Sequence, residues 1–373
     1  MSKLGARIEA DNEYEKQVTS SLCKPKISET EVTHGPQAFK EVLPCQLLSE
    51  YQKPVTRPDI SPAYTVSRET YSSDKAKLAQ QKDRAWSLAR LDARQDSITM
   101  YPELQVMPSW SASNAVWTED DIPVKNLAFL PVLPHPVTEY ATVYSAMKNF
   151  TAIGSQLVQG EIPMYCDEGV YCIVREIQMK RQKEFRPLVP CLGTFHLVKT
   201  VLKCLGKALG GSGAEMVWLQ AGVFGPTVIQ SSILNGGHYN RCLEGMHFLA
   251  EAFHQLLYKE FFAEKGIDKC KVELGILGNL KSSVAKKSTV DSKKFLKEFE
   301  QVSEKMLEEL DSFIAKRSAE NENFKFWAQF LRMMDVVYDL LRADREGIWE
   351  LHLDAVQRAL HLFAAFDYTN YLH

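Results

Sequence analysis

The chain has 373 residues, of which 45% are hydrophobic, 24% charged and 10% aromatic, with a formal net charge of -3. That composition belongs to a globular protein with a sizeable core, and the charge balance excludes a global basic field, so nucleic-acid binding must use a local patch. No stretch approaches the roughly 20 apolar residues that cross a bilayer, and "MSKLGARIEADNEYEKQ" lacks an apolar signal core, which points to an intracellular protein without a membrane partner.

Residues 1–72 are polar and punctuated by proline, as in "YQKPVTRPDISPAY", and read as a flexible arm. A helical linker follows over 73–99, where Ser73 or Asp74 can cap and Leu78, Trp86, Leu88 and Leu91 supply apolar contacts. From residue 100 the pattern changes. "ELQVMPSW" and "NLAFLPVLP" read as strands, and "VTEYATVYSAMKNF" reads as a helix with Val143, Met147 and Phe150 at helical spacing. Next come the strand "EIPMYC", the helix "EGVYCIVREIQMKRQKEF", the strand "PLVPCLG" and the helix "FHLVKTVLKCLGKAL". This alternation over 100–210 predicts an α/β fold, a mostly parallel sheet with flanking helices.

Residues 211–373 read as a large all-helical region. Phe295, Phe299, Val302, Met306, Leu310 and Phe313 form one stripe, so the helix at 291–318 packs on its own domain or meets a protein partner. Gly347 breaks two further amphipathic helices. In "RMMDVVYDLLRADRE" the charges predict ion pairs on a solvated face, while Trp327, Phe330, Leu331, Met334 and Tyr338 belong to the core.

The first candidate for chemistry is Asp167, which follows "EIPMYC". An acid at a strand tip can hold a divalent ion for phosphodiester chemistry, or it can cap the following helix and stabilise it by about 1 kcal/mol. His196 opens the helix after the next strand, where it can bind metal, hold a carbonyl or orient a carboxylate. The eight cysteines contain no CxxC and read as reduced thiols, but zinc could recruit Cys191 and His196 with Cys242, His238 or His247. Glu244, His247, Glu251 and His254 share a helix face, which suits a polar surface, a di-iron half-site or a glutamate helping Asp167. "GKALGGSG" lacks the Lys-Ser/Thr pair of a phosphate loop.

With these residues placed, the segment 161–207 resembles the core of cut-and-paste DDE transposases of Mutator-like and hAT type. The resemblance implies a ribonuclease H-like fold. It carries Asp167 onto the second catalytic acid and metal ligand, and His196 onto the histidine of a later motif; Cys191 lies further from His196 than that motif requires. "SWSASN", "FLPVLPHPVTEYATVYSAM", "LGTFH", "GGSGAEMVWLQAGVFG", "GGHYNRCLEGMH" and "FWAQFLRMMDVVYDLLRADREGIWELHL" occur in order and resemble a mobile-element-derived protein family of animal genomes. That similarity covers about 100–373 and implies a nuclear, transposon-related protein. An active form would cleave and join DNA with Mg²⁺ or Mn²⁺; an inactive relic would serve as a DNA- or protein-binding scaffold. "ELQVMPSWSASNAV" offers no first acid, Asp120 and Asp121 fall in an expected turn, and Glu215, Glu244 and Glu251 compete as the third. A single acid cannot build a two-ion site.

Overall fold

A computed structural model describes residues 73–94, 110, 130, 132–266, 291–368 and 371. The expected arm, nearly all of "ELQVMPSW" and most of "NLAFLPVLP" lie outside the described residues. In chain order the elements are α1 (Asp74–Arg94), α2 (Tyr140–Gln156), β1 (Ile162–Cys166), α3 (Glu168–Lys180), β2 (Leu188–Leu192), α4 (Thr194–Leu209) and α5 (Ala214–Gln220). A short turn of helix, α6 (Pro226–Val228), runs into a π-helical turn at Ile229–Leu234. Then follow α7 (Tyr239–Lys265), α8 (Asp291–Glu320), α9 (Glu322–Glu346) and α10 (Trp349–Ala365).

The ribonuclease H-like α/β expectation is corrected here. Helices take up 76% of the described residues, and β1 and β2 are the only strands among them. They pair in parallel, from Ile162 opposite Leu188 to Cys166 opposite Leu192. The local order of this stretch holds, each five-residue strand being followed one residue later by a helix, but the helix expected to run to Phe185 stops at Lys180. The alternation stops after this single βαβ unit. Beyond Leu209 every element among the described residues is helical.

Two compact units contain these elements, one drawing on Asp74–Val124 and Phe248–Arg332, the other on Lys125–His247 and Met333–His373. In the second unit β1 alternates buried and exposed residues, so Met164 and Cys166 face the core while Tyr165 faces outward. The inward face meets Val143, Tyr144 and Met147 of α2 and Val174 and Ile177 of α3, with Phe185 set edge-on to Tyr144 at 5.5 Å between ring centres. α4 is buried almost throughout, from Leu197 to Leu209, and packs against α10 and the π-helical turn. Gly206 makes that last approach possible: a Cβ there would lie 2.0 Å from the Leu234 carbonyl oxygen.

In the first unit α1 packs on α8, and the Gln81 amide donates to the Glu300 carbonyl at 2.8 Å and to Ser303 Oγ at 2.9 Å. The stripe of α8 buries Phe299, Met306, Leu310 and Phe313 within this unit. Phe253 stacks on Trp327 with ring centres 3.9 Å apart, and Phe330 and Leu331 are buried as expected. No helix among the described residues is long and apolar enough to cross a membrane.

Candidate functional site

The candidate site lies at the carboxyl ends of β1 and β2. Asp167 follows the last residue of β1 in extended conformation, and its Oδ1 accepts a hydrogen bond from the Val170 amide at 2.9 Å. That is the geometry of a helix N-cap, with the acid placed at the positive end of α3. Alongside it, the Gly193 amide donates to the Cys166 carbonyl at 2.7 Å, which draws the start of α4 against the end of β1. A Cβ on Gly193 would lie 3.3 Å from that carbonyl oxygen, so a small residue suits the join.

His196, in the first turn of α4, is half-buried, with its ring edge-on to Phe195 at 5.2 Å between centres. The fold therefore brings Asp167 and His196 to the same end of one strand pair. Glu244 lies exposed on α7 within this unit. Glu251 belongs to the other unit, where both its carboxylate oxygens accept from Arg90 Nη2, at 2.6 and 2.5 Å, and that guanidinium lies over the Trp86 ring. Glu215, the remaining competitor for the third acid, accepts from the Gly211 amide at 3.1 Å.

Of the acids proposed as ligands, Asp167, Glu215 and Glu251 are engaged in hydrogen bonds within the fold. Among the described residues no three His, Cys, Asp or Glu side chains converge so that they could hold an ion. For zinc, burial pushes the Cys242 thiol up to about 12, and its Sγ donates to the Ile233 carbonyl at 3.3 Å. Burial likewise raises Cys191. Burial, then Asp167 and Cys191, pushes Cys166 up to about 11. Thiols held protonated are poor zinc ligands and poor nucleophiles. His247 Nδ1 is hydrogen-bonded to the Tyr338 hydroxyl at 2.9 Å.

Other residues at this end escape a reading of the sequence. Thr194 Oγ1 donates to Asp344 Oδ1 at 3.4 Å, which brings the last turn of α9 to the start of α4. Tyr165 projects from the outer face of β1, Phe195 meets Tyr239 at 4.7 Å between ring centres, and Trp349 stacks on His352 at 5.4 Å. Burial holds His352 below its ordinary range, with Asp344 acting in the opposite direction. The expected solvated charge face on α9 is also corrected in part. Arg342 and Glu346 do pair at 3.1 Å, but Asp339 and Arg342 are buried, and Asp339 accepts from Arg358 of α10. The outward Tyr165 was the one available sequence signal, since strict alternation along β1 exposes every second side chain.

Fold and site together define a predominantly helical protein with one βαβ unit among the described residues. The chain belongs to the family described as a domain of unknown function (DUF8702), which it matches over residues 109–373. No curated protein and no solved structure matches it.

Proposed function

We propose that this chain is a transposase-derived, noncatalytic scaffold that binds duplex DNA in the nucleus through Lys180, Arg181, Lys183 and Arg186. The observation that carries the reading is the state of these four cations, gathered within seven residues at the end of α3 and in the turn before β2. All four are exposed, and none forms an ion pair among the described residues. The acid between them, Glu184, is engaged elsewhere: it accepts from Tyr144 Oη and from Lys148 Nζ, each at 2.7 Å. A cluster of exposed cations, with Arg181 close enough for its charge to act on Glu184 but with no ion pair among the described residues, is the kind of local patch that contacts phosphate.

The noncatalytic part of the reading rests on Asp167 and Glu251, whose carboxylates cap a helix and hold Arg90. The transposon descent rests on the ordered motifs over about 100–373. The test is fluorescence anisotropy with a labelled duplex across a salt series, comparing the native chain with the Lys183→Glu, Arg186→Glu double variant. Each phosphate contact contributes roughly 0.9 to the slope of log K against log salt, so the double variant should flatten the slope by about 2. Equal slopes would refute the patch. Cleavage of DNA by the native chain with Mn²⁺, abolished in Asp167→Asn, would refute the noncatalytic assignment.

A further inference from the structure

We infer that the exposed aromatic side chains gathered around Asp344 form a docking site for an arginine side chain of a partner protein. The placement follows from contacts within one unit. Asp344 is tied to the start of α4 through Thr194, Phe195 is the next residue of α4, and Phe195 meets Tyr239. The negative charge of Asp344 also acts on Tyr165, Tyr239 and His352, and His352 is stacked on Trp349 with planes 13° apart. Tyr165 pairs with Cys191, three residues before Thr194, so these aromatic groups and the Asp344 carboxylate gather at one end of the strand pair.

Their exposure separates a site from ordinary packing. Tyr165 is 54% exposed, Phe195 50% and Trp349 44%, and the only other large aromatic among the described residues exposed to this degree is Phe248, at 45%. Three of the four thus share one location, where scattered surface aromatics would need no explanation. Asp344 is itself exposed, and its only hydrogen bond among the described residues is the long one from Thr194, so most of its acceptor capacity remains. It forms no ion pair among those residues.

The occupant follows from charge and shape. Aromatic faces carry negative potential and attract cations, and a carboxylate between them strengthens that preference. The same carboxylate repels phosphate, which disfavours a stacked nucleic-acid strand. Arginine suits the site better than lysine, because its planar guanidinium can lie on a ring while its N–H fork meets a carboxylate. Arg345 is exposed beside Tyr239, where its charge opposes that of Asp344, so it competes with the incoming cation.

The experiment titrates the full chain with the tripeptide Gly-Arg-Gly and with its citrulline counterpart, which keeps the shape and loses the charge. The readout is the Trp349 indole N–H resonance, assigned through Trp349→Phe. The arginine peptide should give a saturable shift with affinity about tenfold above that of the citrulline peptide, as expected for cation–π contacts joined to an ion pair. Asp344→Asn should remove the difference, and Arg345→Ala should tighten binding. Phe195→Ala should weaken binding of the arginine peptide while leaving the far-ultraviolet circular dichroism unchanged. Equal shifts from both peptides, or no saturable shift from either, would overturn the inference. So would a shift produced by a short single-stranded oligonucleotide and not by the arginine peptide.

Discussion

Replacing Asp167 separates a helix cap from a metal ligand, because the two roles rank the same substitutions differently. In the structure Oδ1 accepts one hydrogen bond, from the Val170 amide, and the carboxylate sits at the positive end of α3. Alanine removes the acceptor and leaves that amide to water, a loss of about 1 kcal/mol for a typical cap. The lost interaction with the helix dipole adds about 0.3–1 kcal/mol at low salt. Asp167→Ala should therefore cost about 1.5 kcal/mol. Asparagine offers an equivalent oxygen, so Asp167→Asn should cost only the dipole contribution, about 0.5 kcal/mol. Urea denaturation followed by circular dichroism, at low and high salt, reads both quantities; salt should bring the asparagine variant back to the native midpoint. A metal ligand would behave otherwise. Asparagine and alanine would then be equally damaging, and the damage would appear only when Mn²⁺ is present. That pattern would refute the capping argument and with it the noncatalytic reading.

Gly206→Ala is a second test of packing, because two effects of opposite sign compete. Alanine favours a helix interior over glycine by about 1 kcal/mol, but the new Cβ would lie 2.0 Å from the Leu234 carbonyl oxygen and 2.7 Å from its carbon, both backbone atoms that cannot rotate away. Overpacking of this kind costs about 3 kcal/mol, so the variant should be less stable by about 2 kcal/mol in urea; a stabilised variant would mean that the π-helical turn moves freely. His352 provides the pH dependence. Burial, the larger influence, lowers its folded pKa from 6.5, so the unfolded chain takes up the proton first and stability declines as pH falls below about 6.5 until the folded value is passed. His352→Gln should flatten that decline, and Asp344→Asn should deepen it, since Asp344 favours the charged imidazole. Thermal midpoints measured from pH 7.5 to 5 would show both effects, and parallel curves for all three proteins would contradict them.

The elements legible in the sequence are those whose signal is local. The strands "EIPMYC" and "PLVPCLG" and the starts of the helices after them stand where alternation and turn residues place them, with Asp167 and Gly193 at the helix starts, although the first of these helices ends at Lys180, five residues early. The error lay in extending this one βαβ unit to a ribonuclease H-like sheet, because strand number is not a local property. Asp167 was legible as either cap or ligand, and only the direction of its carboxylate, toward the Val170 amide, distinguishes the two. Asp344 was hidden by a stronger local explanation: in "LLRADRE" a charge every few residues suggests intrahelical pairs, and Arg342 does pair with Glu346. The contact of Asp344 with Thr194 joins residues 150 positions apart, and no spacing rule reaches that far. Asp339 was misjudged for the same reason, since the cation that permits its burial, Arg358, comes from the next helix.

The two surfaces proposed here stand at opposite ends of β2. The cations Lys180 to Arg186 precede its first residue, whereas Thr194 and the Asp344 cluster follow its last. A five-residue strand spans about 16 Å, beyond the Debye length of about 8 Å at physiological salt, so neither surface cancels the field of the other. This separation lets one protein hold a polyanion at one end and a cationic side chain at the other, which a single patch of mixed charge could not do. It also makes the two interactions distinguishable by salt alone. DNA binding through four cations should weaken steeply as salt rises, whereas a single arginine held between aromatic faces exchanges one charge and retains its dispersion contacts.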